Sequence, residues 1–154
     1  MPHRFINNRT NILVQAAREG TQNSNQHLLD TDQQIQALLQ VFNQGVEASF
    51  SAGGVGGLRE YTTAEGYKRM QEKYARWTNQ QVTALNLVSC EFLAFDLDPK
   101  QQTAKAFTFE KWVFKYADGK EVPTAGSVDG YILQCIDGQW RVDSARTYAL
   151  TQEG

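Results

Sequence analysis

The chain has 2 histidines and 2 cysteines in 154 residues, and this scarcity excludes several kinds of chemistry. His3 and His27 both lie in polar flanking sequence ahead of the strongly patterned segments, so no Ser-His-Asp or Cys-His nucleophilic set can be assembled. A zinc site fails for the same reason, because Cys90 and Cys135 have no His or second Cys at ligand spacing. Both cysteines sit in apolar, strand-like surroundings and read as buried thiols rather than as a disulfide.

Positive charge is not in excess either. Lys+Arg 15 against Asp+Glu 17 gives a formal charge of −2, which leaves nothing to collect phosphates, so nucleic acid is not expected as a partner. No apolar run approaches the roughly 18 residues of a membrane span. The N-terminus lacks the ordered charged, apolar and small-residue segments of a secretory signal. The expectation is a soluble, cytoplasmic protein. No repeat of 20 to 50 residues and no low-complexity linker divides the chain, and its length suits a single domain that needs neither disulfide nor metal.

Residues 1–29 read as an N-terminal arm. Asn8 or Thr10 would cap a short helix carrying Ile12, Leu13, Ala16 and Ala17, stopped by Gly20 and followed by the loop-like "TQNSNQ". Residues 30–148 carry the domain, and 149–154 a tail. Within the domain, Ile35, Leu38, Leu39, Phe42, Val46 and Phe50 fall at helical spacing behind an N-cap at Asp30 or Thr31, predicting an amphipathic helix. The following "AGGVGG" lacks the Lys-Ser/Thr and the preceding strand of a phosphate loop, and reads as a connector. Thr62 and Glu65 then stand at capping-box spacing before a second helix with Tyr67, Met70, Tyr74 and Trp77 on one stripe. Core packing is the ordinary reading of that stripe, and a stacking platform for a ligand the alternative.

The period changes in the second half. "VTALNLVSCEFLAFDLD", "TAKAFTFEKWVFKY", "SVDGYILQCI" and "QWRVDSARTY" are rich in β-branched and aromatic residues and are separated by turn chemistry, predicting a four-stranded antiparallel meander. Asp137-Gly138 predicts a two-residue hairpin turn. Pairing outward from it sets Cys135 opposite Trp140, Leu133 opposite Val142, Tyr131 opposite Ser144 and Asp129 opposite Arg146. On the preceding strand Thr108, Glu110 and Trp112 share one face, while Phe107, Phe109 and Val113 share the other with Lys105, Lys111 and Lys115. With Leu85, Leu87, Ser89, Glu91, Leu93 and Phe95 inward on the first strand, Ser89 and Glu91 would join Thr108 and Glu110 in a polar band.

Helices first, "IQALLQVFNQGVEASF" and "EGYKRMQEKYARW", then the long strand "TAKAFTFEKWVFKY" and the closing hairpin "YILQCIDGQWRVDSA", give a pattern that resembles the nuclear transport factor 2-like superfamily. The resemblance covers about Asp30 to Tyr148. It implies an α+β cone, amphipathic helices packed on a curved antiparallel sheet, as in ketosteroid isomerases and polyketide cyclases. The chain is also similar to the subset of such domains at the C-termini of larger cyanobacterial and plastid proteins, where they serve as interaction modules. The arm has no counterpart in that pattern. Neither does the chain show the further short helix and strand that often precede the sheet.

Two functions follow. One is a non-catalytic binding or scaffolding domain with a partly polar cavity, homodimeric through the outer sheet face at Phe92, Phe107, Phe109 and Val113, with a protein partner or a small apolar ligand and no cofactor. Its cavity would be lined by Tyr67, Trp77, Thr108, Glu110, Trp112, Asp129, Tyr131, Ser144 and Arg146. The other is an enzyme of the isomerase or cyclase kind, with Glu110 as general base, Tyr131 as donor to an oxyanion, Asp129 and Arg146 orienting substrate, and Tyr67 and Trp77 as apolar wall. Against the enzyme stands the ordinary fate of a buried carboxylate, which is to be bonded by neighbouring side chains.

Overall fold

The computed structural model describes residues 5–7 and 22–149, with side chains described over residues 30–148. In chain order the elements are β1 (Phe5–Asn7), α1 (Gln22–Ala52), a 3-10 helix (Gly56–Tyr61), α2 (Ala64–Asn79), β2 (Val82–Asp98), β3 (Thr103–Tyr116), β4 (Glu121–Pro123), β5 (Ser127–Ile136) and β6 (Gln139–Ala149). The short helix expected around Ile12 to Ala17 lies outside the described residues. No helix among the described residues is long and apolar enough to cross a membrane.

Ile35, Leu38, Leu39, Phe42 and Val46 are all buried, so the stripe of α1 forms the core as its spacing predicts. The helix is longer than expected, however, and begins at Gln22 within the segment read as a loop. Glutamine is a good helix former, and adding a turn to an existing helix avoids the cost of nucleation. The second helix is capped one residue later than expected. Thr63, not Thr62, accepts from Gly66 N at 2.9 Å, while the Thr62 hydroxyl donates to the Leu58 carbonyl at 2.9 Å. Tyr67, Tyr74 and Trp77 pack against the core around buried Met70.

Strands β2, β3, β5 and β6 pair antiparallel in that order, β1 adds a parallel edge to β2, and β4 pairs with the end of β3. The hairpin turn forms as expected, with φ of 52° at Asp137 and 80° at Gly138. Cys135 faces Trp140 and Leu133 faces Val142, again as expected.

Beyond Val142 the register departs from simple alternation. An extra residue, Asp143, bulges from β6, so Tyr131 faces Ala145, Asp129 faces Thr147, and Ser144 and Arg146 fall opposite Ile132 and Gly130. The bulge is where α2 docks. Thr63 N donates to the Val142 carbonyl at 3.0 Å, and the Thr63 hydroxyl donates to Asp143 Oδ1 at 2.7 Å.

Strand β2 carries register shifts of its own between Val82 and Ala84, Leu87 and Ser89, and Phe92 and Ala94. Leu85 and Leu87 point inward as expected, but the bulge at Val88 turns Ser89 and Glu91 to the outer face and brings Cys90 and Phe92 inside. The bulge at Leu93 reverses this, and Phe95 is buried again. Two expectations are thereby corrected. Ser89 and Glu91 do not join the polar band, and Phe92, with 0% exposure, belongs to the core rather than to an outer interface. Cys90 is buried with its thiol free, while Cys135 is free and only half-buried.

Helix α2 approaches β6 so closely that a Cβ at Gly66 would run into the Val142 carbonyl oxygen, a backbone atom that cannot swing aside. Gly66→Ala is expected to destabilise the fold by about 1–3 kcal/mol in chemical denaturation, an overpacking cost. Gly57→Ala, where a Cβ meets nothing within 4 Å, is the control and should leave stability within about 0.5 kcal/mol of the parent.

Candidate functional site

Because α1 and α2 cover the concave face of the sheet without filling it, a cavity of about 210 Å³ remains between them. Its apolar walls include Phe42 and Val46 from α1, Met70 and Trp77 from α2, and Leu85 and Phe114 from the sheet. Its polar floor holds Asn43, Glu110, Asp129 and Tyr131, and Lys73 stands in the wall contributed by α2.

Glu110 is 3% exposed and collects four donors. Oε2 accepts from the Thr108 hydroxyl at 2.6 Å, from the Tyr131 hydroxyl, and from Asn43 Nδ2 at 3.4 Å, while Oε1 accepts from Trp112 Nε1 at 2.8 Å. Asn43 also donates to Tyr131 Oη at 3.1 Å. Strand alternation alone brings Thr108, Glu110 and Trp112 to one face, and the β3–β5 register sets Tyr131 beside them across Ala106. Burial, and then the charges of Glu110 and Asp129, push the Tyr131 phenol well above its usual range, so it stays a donor.

Asp129 is 7% exposed and accepts from the Thr147 hydroxyl at 2.6 Å and the Ser127 hydroxyl at 3.2 Å. Burial first, and then the negative charge of Glu110, raise its carboxyl from 3.8 to about 7. Burial lowers the Lys73 ammonium, while the charges of Asp129 and Glu110 act in the opposite sense. Burial also pushes the Cys90 thiol up, which makes it inert at neutral pH.

Trp77, Glu110, Trp112, Asp129 and Tyr131, five of the residues expected at a cavity, do line it. Thr108 is fully buried and supports Glu110 from behind. Three others are elsewhere. Tyr67 lies half-buried under the Arg59 guanidinium, 4.6 Å from its ring centroid, and Ser144 lines a separate cleft with Gly66 and Arg69. Arg146 covers the Tyr148 ring at 5.2 Å and pairs opposite Gly130, because the Asp143 bulge carried it off the face of Asp129.

Asn43 and Lys73 escaped the sequence reading, although a signal was present. Asn43 falls four residues after Leu39 and three before Val46, and Lys73 three after Met70 and four before Trp77. Each is a polar residue on an apolar stripe, the same anomaly that singled out Glu110. Among the described residues, no group of three or more His, Cys, Asp or Glu comes together to hold a metal ion.

No family model matches the chain, and no curated protein matches it in sequence. Solved structures do. The intermembrane space region of the chloroplast protein ARC6 superposes with a TM-score of 0.50 at 9% identity, covering 60% of this chain and 76% of that one. Aln2 from a Streptomyces species superposes with a TM-score of 0.51 at 11% identity, covering 75% of this chain and 90% of that one. The fold is the nuclear transport factor 2-like α+β cone, as the order of helices and strands implied.

Glu110→Gln would set an amide NH₂ against one of the donors that the carboxylate now receives. A loss of about 1–3 kcal/mol in denaturant stability is expected, the cost of a buried donor left unpaired. Asp129 generates a pH effect. Between about pH 4 and 7 the folded chain keeps a proton that the unfolded chain has released, so this group's contribution to stability falls as pH rises through that window and is flat above it. Relative to Asp129→Asn, the parent should lose stability from pH 4 to 7 in paired denaturation curves; a constant difference would refute the raised proton affinity.

Proposed function

We propose that this chain is a non-catalytic binding domain whose cavity takes one small, largely apolar molecule and whose outer sheet face pairs with a second copy. The observation that carries the first part is the cavity itself, apolar on its walls and polar on its floor, as ligand sites commonly are. Its volume of about 210 Å³ suits a small-molecule ligand such as a single-ring or short-chain compound.

The isomerase or cyclase reading, with Glu110 as base, is less well supported by the geometry. Both carboxylate oxygens are engaged by donors fixed on α1, β3 and β5, and accepting a substrate proton would require giving one of them up. Tyr131, whose hydroxyl already donates to Glu110, is committed in the same way. Fold likeness to a chloroplast protein and to a Streptomyces protein favours neither activity, since one fold hosts many functions.

Support for self-association comes from the outer face. Val88, Leu93, Ile132 and Tyr148 are exposed there beside half-buried Phe107, Phe109 and Val113, with Lys105, Lys111 and Lys115 interleaved. Apolar residues mixed with charges suit an interface between copies. The free thiols of Cys90 and Cys135 fit a reducing compartment such as the cytoplasm.

A panel of monocyclic alcohols and amides, followed by quenching of Trp77 and Trp112 fluorescence, tests the ligand reading. Binders are expected, and Ala145→Leu, which narrows the cavity, should weaken them at least about tenfold while leaving the far-ultraviolet spectrum unchanged. Failure of the whole panel to bind would overturn it. Sedimentation equilibrium tests the pairing: the parent is expected to dimerise at micromolar concentration and Ile132→Lys to be monomeric, while a monomeric parent at high micromolar concentration would refute the dimer.

A further inference from the structure

We infer that the cavity holds its ligand by a reversible covalent bond, an imine between Lys73 and a small apolar aldehyde, with Asp129 supplying the proton that removes water. This rests on the cavity being a ligand site and goes beyond it by naming the reactive group and the chemical class.

Lys73 lies between Met70 and Trp77 on the face of α2 that forms the cavity wall, and all three line the same space. Its Nζ stands 5.6 Å from the Trp77 ring centroid. Among the described residues no carboxylate oxygen lies within ion-pair distance of that nitrogen, and its charged form is favoured by the Trp77 ring face and by the more distant Asp129 and Glu110. The charged groups around it are Arg76 on its own helix, which favours the neutral amine, and Glu110 and Asp129 on the sheet, which oppose it; burial outweighs the others and favours the amine. Lys68, Lys100, Lys105, Lys111, Lys115 and Lys120 all lie outside the cavity.

Of the two carboxyls on the floor, Glu110 is held by four donors, whereas Asp129 is held by one hydroxyl on each oxygen and has its proton affinity raised toward neutrality by burial and by the charge of Glu110. It is the acid the reaction needs. The neutral Lys73 nitrogen adds to the carbonyl carbon, and a proton passes from nitrogen to the former carbonyl oxygen, giving a carbinolamine. The Asp129 carboxyl then protonates the hydroxyl, which leaves as water while the nitrogen lone pair forms the C=N bond. The iminium proton returns to the Asp129 carboxylate, so aldehyde and amine give imine and water with the acid restored. An aldehyde suits the site because it needs no activated leaving group, and because the cavity's apolar walls limit the water that would reverse the adduct.

The test incubates the full chain with cinnamaldehyde, reduces with borohydride and maps the adduct by peptide mass spectrometry, with calorimetric binding of cinnamyl alcohol measured in parallel. One adduct is expected, on Lys73, absent from Lys73→Arg and formed at least about tenfold more slowly at pH 7 and saturating aldehyde in Asp129→Asn. Label spread over the exposed lysines, unchanged by Lys73→Arg, would overturn the imine. Binding of the alcohol without a Lys73 adduct would sink the covalent inference and leave the ligand site standing, whereas no binding of either compound would sink both.

Discussion

The Glu110 carboxylate is the fixed point on which the rest of the interior depends. Placing it in the core costs several kcal/mol unless its oxygens are satisfied, and satisfaction here draws on Asn43 from α1, Thr108 and Trp112 from β3, and Tyr131 from β5. Hydrogen bonds to an ionised acceptor are among the stronger ones, and these tie the long helix to the two central strands at one place. Phe42 packs edge-on to the Tyr131 ring, with centroids 6.0 Å apart, so the apolar and polar contacts of this junction reinforce each other.

Curvature is the second constraint. A regular sheet would have left every second side chain of β2 inward and Arg146 beside Asp129. Single-residue bulges at Thr83, Val88, Leu93 and Asp143 bend the strands and exchange their faces. One result is the concave surface that leaves a cavity under the helices. Another is chemical: Asp129 meets two neutral hydroxyls instead of a guanidinium, so burial and the charge of Glu110 hold its proton to near neutral pH.

Much of this architecture was legible in the residues. β2, β3 and β5 begin and end where their β-branched and aromatic runs meet turn residues, and Asp137-Gly138 set the first pairs of the closing hairpin correctly. What stayed hidden was not local. A bulge is an extra residue whose position is decided by what docks against the strand, as the Thr63 cap docks at Asp143, and no alternation of types marks it. The misplacement of Ser144 and Arg146 at the cavity, and of Phe92 at the interface, follows from that cause alone. Asn43 and Lys73 were legible in principle, as polar residues interrupting apolar helical stripes, and Glu110 was found by the same rule applied to a strand.

The division of labour between the two carboxyls is the central claim: Glu110 is committed to the fold by four donors, while Asp129 lines the cavity together with Lys73. Hydrogen exchange at the Trp112 indole, followed by nuclear magnetic resonance, tests its foundation most directly. Donated to Glu110 at 2.8 Å, that proton should exchange as slowly as core amides and speed up markedly in Glu110→Gln. Exchange in the parent at the rate of a solvent-exposed indole would contradict the account.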